Sequence, residues 1–401
     1  MDMQKKISGL ERLYLPVVLL LSFLASYLLA YAMANKSWTD IAIHMEMANA
    51  FLDGRDPNAY PGFYLVFGLF SRICGIPEAH AAAAALGLFS IFTGIAAYII
   101  SGCVLGWNKP ERVRCLIVLF ISFFGPLYLG GENYYLGQGS FNAWHNPTNS
   151  GVKFFALVCF FLFVYAYQMK EGDTVAVLGK QLKRVHLYIL IVILTCCSMV
   201  FKPSFFQVFA PFLAAIYGLD FLMKKRSFKS CVMDALLFIP AVALILYQMF
   251  AEIGGGESGG GMFISFARGW SYHTDNIFRS IMANAIFPLF VCLFCEKKIF
   301  KNKILLYSMM FYAVCLGEAL FLAESGPRIS HGNFLWGMDL GIGVIFIGSI
   351  LCFVTYCWKT EKNDAPAQKA VRYVGNGLLA VHFILGVWYI LRCIILNLEY
   401  F

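Results

Sequence analysis

The residues best suited to acid–base chemistry lie in one segment, SWTDIAIHMEMANAFLDGRDPNAYPG, which covers positions 37–62. Ser37 followed by Asp40 is typical of a helix start, and Gly54 predicts the end of that helix. Asp40 and His44 are four residues apart and therefore share one helix face. A carboxylate in this place could accept a proton from a substrate hydroxyl group. The alternative is that Asp40 only stabilises the start of the helix through the helix dipole.

Basic side chains that could bind a phosphate group occur after long apolar runs. Lys202 ends one such run, where a charge is costly unless it is paired or used, although it could also extend to the membrane surface. Arg328 and His331 lie in ESGPRISHGNF, between two apolar runs. Arginine can bind phosphate through two N–H groups, so we expect Arg328, assisted by His331, to contact it. The alternative is that these two residues only shape the loop.

A second polar segment, GGENYYLGQGSFNAWHNPTNS, covers residues 130–150 and contains no Lys or Arg. Flat aromatic rings can stack on the C–H groups of a sugar, while amide, imidazole and carboxylate groups bind its hydroxyls. The alternative is an aromatic belt at the membrane interface. The run HNPTN predicts a turn before the next apolar segment. The candidates for contact with a sugar or other acceptor are His44, Glu132, Tyr135, Trp144, His145 and Asn146.

Composition shows which class of protein must position these residues. The chain has 401 residues, of which 60% are hydrophobic and 13% are charged. Soluble domains are usually about 25% charged and about 45–50% apolar. This excludes a soluble enzyme, a disordered protein and a nucleic-acid-binding domain, and it indicates a polytopic membrane protein whose main partner is the lipid bilayer. The 13 cysteines lie mostly in or beside apolar runs, so we expect small hydrophobic residues rather than disulfides or metal ligands.

Runs of about 20 apolar residues predict transmembrane helices. We expect an all-α fold with about eleven spans in one integral membrane domain, residues 1–401. In this organisation the first span is 12–34, an outer loop with interfacial helices covers 35–77, and the other spans lie within 78–395. Segment 61–75 is expected to be a surface helix. The predicted spans are 12–34, 78–101, 112–130, 151–168, 187–202, 205–223, 230–251, 280–295, 304–323, 335–357 and 373–395.

The distribution of basic residues predicts the orientation. With eleven spans, 22 Lys and Arg residues fall on the side of the N-terminus and 7 on the other side. The positive-inside rule therefore places the N-terminus in the cytoplasm and the C-terminus outside. The candidate residues then lie at the outer face of a membrane, which we expect to be a bacterial inner (plasma) membrane.

The first outer loop resembles that of the GT-C superfamily of integral membrane glycosyltransferases. The resemblance rests on Thr39-Asp40, His44, Ala48, Gly54, Asp56-Pro57 and Tyr60-Pro61, placed directly after a first span. Mannosyltransferases of the GPI type and bacterial relatives carry a similar string. The resemblance covers residues 12–75 and the overall topology, and it is loose in the C-terminal half.

That resemblance implies a function. The chain would move a hexosyl or pentosyl unit from a polyprenyl-phosphate donor to a cell-envelope glycan or glycolipid acceptor, with Asp40 as the catalytic base. Lys202, Arg328 and His331 would bind the donor phosphate. Many family members carry two acidic residues in this place, whereas this chain has Asp40 alone with His44 and Glu46 nearby. No cofactor is required by the sequence, and a divalent cation stays an alternative.

Two other functions compete with this interpretation. An O-antigen ligase or polymerase would use a diphosphate-linked glycan and outer-loop Arg and His residues, for which Arg328 and His331 are candidates. A lipid or glycan transporter would need broken helices around a midplane site, and many such folds carry internal repeats, which this sequence lacks. Glu318, inside an apolar run, is expected to pair with Lys202 or Lys153, and Asp339 to face water or to cap a helix.

Overall fold

The protein is described here by a computed structural model that covers residues 11–35, 39–127, 136–142, 144–170, 172–177, 180–254, 261–296, 298–361 and 365–395. Helices dominate these residues. They are α1 Tyr14–Ala34, α2 Asp40–Leu52, α3 Gly62–Gly68, α4 Glu78–Leu105, α5 Glu111–Phe123, α6 Pro147–Gln168, α7 Arg184–Phe201, α8 Ser204–Leu222, α9 Phe228–Leu236, α10 Ile239–Gly254, α11 Ile277–Phe290, α12 Lys303–Phe321, α13 Leu335–Thr360 and α14 Pro366–Ile395.

Four short strands form two antiparallel pairs. Strand β1 (Thr174–Val177) pairs with β2 (Lys180–Lys183), and β3 (Met262–Ile264) pairs with β4 (Leu322–Glu324). Two π-helical turns, Leu69–Ile73 and Val291–Cys295, extend α3 and α11. Short 3-10 turns are Glu11–Leu13, Trp270–Tyr272, Ile299–Lys301 and Gly326–His331.

The prediction of a polytopic, helical membrane protein is confirmed. Nine of the described helices are long and apolar enough to cross a membrane, and α9 with α10 would make a tenth span bent by 56°. The remaining predicted span, 112–130, is described as far as residue 127, and within that range it forms the 13-residue helix α5. The described part of the chain therefore does not reach eleven full spans. Segment 61–75, predicted as a surface helix, forms a short apolar helix, Gly62–Ile73, and its position at a membrane surface stays a prediction.

Helix α5 stops inside the bundle. Phe124 is extended, and the Gly125-Pro126 pair that follows disfavours further helix. Gly125 exchanges hydrogen bonds with His382, in the middle of α14: its N–H donates to the His382 carbonyl at 3.0 Å, and its carbonyl lies 2.7 Å from Nδ1 of the imidazole. Non-helical backbone at membrane depth is tolerated because the protein itself supplies such partners.

The chain then returns through the bundle before α6. Asn142 is buried, and its Nδ2 donates to the carbonyls of Ile121 and Phe124 at the end of α5. The neighbouring residues Ser140 and Phe141 are also fully buried. The segment that the sequence predicted as an outer loop, 130–150, is therefore partly internal over its described residues. Residues 128–135 lie outside the described part of the chain.

Side-chain volume determines how closely α6 and α7 pack. A Cβ atom added to Gly151 would lie 2.3 Å from Cδ1 of Phe201, so only glycine fits beneath that ring. Gly62 of α3 is similarly close, with its virtual Cβ 2.8 Å from the same atom. Phe201 therefore joins the first loop to the bundle at one end of α7.

The helical bundle has two ends. The Asp40 end comprises the described residues of 39–77, 136–146, 202–203, 261–276 and 322–334. The basic end is the opposite one and comprises the described residues of 106–110, 169–183, 223–227, 296–302 and 361–365. Charge distribution in the sequence predicts that the Asp40 end faces outward.

Candidate functional site

Helix α2 presents Asp40 at the membrane-proximal start of the first loop. Its N-cap is Thr39, whose hydroxyl donates to the Met33 carbonyl at 2.9 Å and accepts from the Ala42 N–H at 3.3 Å. The prediction of Ser37 as the cap is therefore wrong, because the helix begins two residues later than that cap would require; Ser37 itself lies outside the described residues. The helix ends where expected, because Asp53 is its C-cap and Gly54 adopts a φ of +71°. Thr39 thus fixes the exit from α1 and the direction of Asp40.

The Asp40 carboxylate is held by the residues just before α6. Asn146 donates from Nδ2 to Oδ2 of Asp40 at 2.8 Å, and His145 Nε2 lies 3.8 Å from the same oxygen. The side chain of Asp40 is 37% exposed, whereas that of His145 is 5% exposed. The carboxylate is therefore fixed on its buried side and open on the other, as a base that meets a substrate must be.

Asn146 has a fixed orientation because it also caps α6. Its Oδ1 accepts from the Asn149 N–H at 2.9 Å and from the Thr148 hydroxyl at 2.8 Å. Since Oδ1 is used for these two bonds, Nδ2 must face Asp40. The predicted turn at HNPTN is confirmed, and Pro147 occupies the first helical turn. Asn146 was predicted as a sugar contact, but the structure gives it an evident role in positioning Asp40.

His44 and His145 are neutral side chains next to this carboxylate. Burial lowers the pKa of His44 to about 4, against the opposing effect of Asp40. Burial also lowers the pKa of His145 to about 4, again opposed by Asp40. His44 lies one turn after Asp40, with Nδ1 3.2 Å from the Tyr64 hydroxyl. At neutral pH both imidazoles can exchange hydrogen bonds with hydroxyl groups, but neither carries charge.

Lys202 supplies positive charge beside Asp40. It is the extended C-cap residue of α7, and its Nζ lies 4.4 Å from the ring centroid of Trp336. Burial lowers the pKa of Lys202 to about 8, and the negative charges of Asp40, Asp339 and Glu324 act against that shift. The Trp336 ring also lies 5.5 Å from the His145 ring. Trp336 therefore contacts both the Lys202 ammonium, through a cation–π interaction, and the His145 ring.

Arg328 reaches this cluster through another residue. Its Nε lies 3.2 Å from Oε1 of Glu324, and Asn333 donates to Oε2 of the same carboxylate at 2.7 Å. Glu324 in turn acts electrostatically on Lys202. His331, at the end of the same 3-10 turn, is exposed and takes no part in the described contacts around Asp40. The structure thus brings Lys202 to Asp40, connects Arg328 indirectly and leaves His331 at the surface.

Trp144, another predicted sugar-binding residue, packs against a distant helix instead of facing the Asp40 carboxylate. Trp144 is only 4% exposed and stacks on Tyr389 of α14, with ring centroids 5.9 Å apart. Its ring lines a small internal cavity together with Lys153 and Asn142. This packing does not favour contact between Trp144 and a sugar. Glu132 and Tyr135 lie outside the described residues, so their predicted roles stay predictions.

Asp339 was not recognised in the sequence as part of this region. The expectation that it faces water or caps a helix is wrong, since it is 1% exposed and its Oδ1 accepts from the Ser140 N–H at 2.9 Å. Its charge acts on both Lys153 and Lys202. Glu318, which was expected beside those lysines, instead has its Oε1 close to Gly337. A hydrophobic pattern cannot distinguish these two acids, because both interrupt apolar helices.

Among the described residues, no group of three His, Cys, Asp or Glu side chains is arranged to hold a metal ion. The described site consists of one half-exposed carboxylate, two neutral imidazoles and one ammonium group at the end of a helical bundle. No protein-family model matches the chain, and no curated protein is similar to it.

Proposed function

We propose that the chain is a GT-C-type glycosyltransferase that moves a monosaccharide from a polyprenyl-phosphate donor to a cell-envelope glycan or glycolipid. One observation carries the proposal: the Asp40 carboxylate is fixed by Asn146 at 2.8 Å, yet its side chain is 37% exposed. Lys202, next to Asp40, supplies the one positive charge needed near a monophosphate. This pairing of a base with a cation suits sugar transfer at a membrane surface.

The described residues can divide the reaction between them. Asp40 would take the proton of the acceptor hydroxyl as its oxygen forms the new bond to the anomeric carbon of the sugar. The bond between that carbon and the phosphate oxygen breaks, and the electron pair leaves with polyprenyl phosphate. Lys202 would stabilise the negative charge of that leaving group. Neutral His44 and His145 are placed to hydrogen-bond hydroxyl groups of the two substrates.

The positive-inside bias supports an outward orientation of the Asp40 end. The site would then meet lipid-linked donors in the outer leaflet of a bacterial plasma membrane. Donor and acceptor both reach the enzyme from that side, and the basic end contacts the cytoplasm.

The direct experiment is transfer by the purified protein in lipid nanodiscs, with radiolabelled sugars on short-chain polyprenyl phosphates and envelope glycans as acceptors. Asp53→Asn is the matched control, because it removes a carboxylate from the same loop that pairs with exposed Arg55 and Arg72. We expect transfer by the wild type and by this control. Transfer from diphosphate-linked glycans alone would favour the ligase or polymerase function. Binding of donors without any transfer would contradict enzymatic function.

A transporter is the second candidate, and one structural feature favours it. Helix α5 ends inside the bundle at the non-helical segment 124–127, and the later residues 137–142 are buried. Interrupted spans of this kind surround substrate sites in many transporters. The test is uptake or flipping of fluorescent polyprenyl-phosphate sugars in proteoliposomes. Movement of the lipid across the bilayer without transfer to an acceptor would favour transport over catalysis.

A further inference from the structure

Strand β3 and the two residues after it present an unusual apolar stripe. Met262, Ile264 and Phe266 are 62%, 81% and 71% exposed. They alternate with Phe263 and Ser265, which are half-buried against the protein. Since side chains alternate along an extended chain, the three apolar groups lie on one face. An exposed apolar stripe of this size needs a partner.

The hydrogen-bond register fixes the depth of this stripe relative to a membrane span. Strand β3 pairs with β4, which directly continues α12, and Ile264 lies opposite Leu322. Beyond the strand, Ser265 donates to the Phe321 carbonyl at 3.0 Å, and Ala267 donates to the Leu320 carbonyl at 2.6 Å. The chain after β3 therefore runs alongside the last turn of α12.

Helix α12 has the length of a membrane span. It has 19 residues and qualifies as a spanning helix by length and composition. At about 1.5 Å per residue it covers roughly 28 Å, close to the ~30 Å of a hydrocarbon core. Phe266 packs against Phe321 with ring centroids 5.6 Å apart and the rings tilted by 56°, and Phe321 is itself 48% exposed. Phe266 is therefore level with the end of the span and beside its lipid-facing surface.

The chain turns back at this depth. Ala267 adopts a φ of +60°, a left-handed conformation that is uncommon for residues other than glycine. Exposed Arg268 follows directly, at a level where its guanidinium can reach lipid phosphates. The segment thus presents apolar side chains level with the end of α12, followed by an exposed arginine.

We propose that strand β3 and Phe266 form a membrane-inserted hook, whose exposed face is covered by acyl chains of the leaflet at the Asp40 end. Lipid is the partner that this position selects, because the stripe is continuous with the lipid-facing side of α12. The hook would hold β4 at the membrane surface. Strand β4 carries Glu324, so the inserted hook would position the Glu324 carboxylate. That carboxylate pairs with Arg328 and attracts the positive charge of Lys202.

Site-specific fluorescence quenching in nanodiscs tests this proposal. A small fluorescent amino acid would replace Ile264 or Phe266, in lipids brominated either near the headgroup end of the acyl chain or near its terminal methyl. Leu20, which is 56% exposed and lies in the interior of α1, is the positive control, and exposed Asp56 is the aqueous control. Each position accepts a comparable label, and native cysteines do not interfere.

At Phe266 we expect strong quenching by the shallow bromolipid, weaker quenching by the deep one, and protection from aqueous acrylamide. Leu20 should show the reverse preference between the bromolipids, and Asp56 should respond to acrylamide alone. The proposal is overturned if labels at both Ile264 and Phe266 behave like the label at Asp56. Emission at Phe266 should also be shifted to the blue relative to Asp56, and a matched emission maximum would contradict insertion.

Discussion

Asn146→Asp isolates the contact between α6 and the candidate base. Aspartate is as good an N-cap as asparagine, so the bonds from the Asn149 N–H and the Thr148 hydroxyl can be kept. The Nδ2 donor that holds Asp40 at 2.8 Å is lost, and a second carboxylate takes its place. The variant therefore changes the electrostatics of the site with little effect on the helix start.

The size of the effect follows from Coulomb's law. Two unit charges about 4 Å apart repel each other by about 4 kcal/mol at an effective dielectric constant of 20. This repulsion energy corresponds to about three pH units. Solvent screening reduces the repulsion, because the Asp40 side chain is 37% exposed. The two carboxylates would then compete for one proton. On the acidic side of the pH–rate profile, we expect the fall in transfer rate to occur at a pH about one to two units higher than in the wild type.

The assay is kcat/KM for sugar transfer between pH 4.5 and 8, measured beside thermal unfolding of the same preparation. Asn146→Ala is the comparison, because it loses both the cap, worth about 1 kcal/mol, and the donor. An unchanged acidic limb in Asn146→Asp, in a protein that unfolds like the wild type, would refute the role of Asn146 in positioning a base.

Three further predictions follow from other contacts. Because burial lowers the pKa of Lys202 to about 8, the rate of sugar transfer should decline as pH rises above that value. Lys202→Arg should remove this decline. A decline that persists in Lys202→Arg would exclude Lys202 as its cause. Burial lowers the pKa of His145 from 6.5 to about 4, so between these pH values the unfolded protein binds a proton that the folded protein does not. The folded state therefore loses stability as pH falls from 6.5 towards 4. The loss in the free energy of unfolding is about 2 kcal/mol at pH 5 and can be measured by thermal unfolding. The loss should be smaller in His145→Asn and unchanged in His331→Asn. Gly151→Ala should destabilise the protein by about 1–3 kcal/mol, because its Cβ would lie 2.3 Å from the Phe201 ring, and Phe201→Leu in the same chain should restore part of the loss.

Much of the fold could be predicted from hydropathy and turn chemistry. The boundaries of α1, α2 and α12 agree closely with the apolar runs and with the position of Gly54, because these signals are local. The prediction was wrong about segment 130–150, whose described residues lie partly inside the bundle. Its burial depends on partners distant in sequence, such as the Asn142 amide at the end of α5 and the Asp339 carboxylate at Ser140.

The candidate site shows the same division between local and distant information. The helical spacing of Asp40 and His44 is a local signal, and the structure confirms that both lie on α2. The approach of Asn146 and Lys202 to Asp40 joins three segments, and no spacing in the sequence encodes that meeting. The sequence does not predict the contact between Trp336 and Lys202 either, because that contact forms only when α7 and α13 pack together.

The most direct test of the central claim compares Asp40→Asn with the wild type in sugar transfer, with Asp53→Asn as the control. The asparagine keeps the size and most hydrogen bonds of the side chain but cannot accept the acceptor's proton. We expect Asp40→Asn to bind the polyprenyl-phosphate donor with nearly unchanged affinity and to lose about 10²–10⁴-fold in kcat. A folded Asp40→Asn protein that transfers sugar at a rate close to that of Asp53→Asn would contradict the assignment of Asp40 as the base.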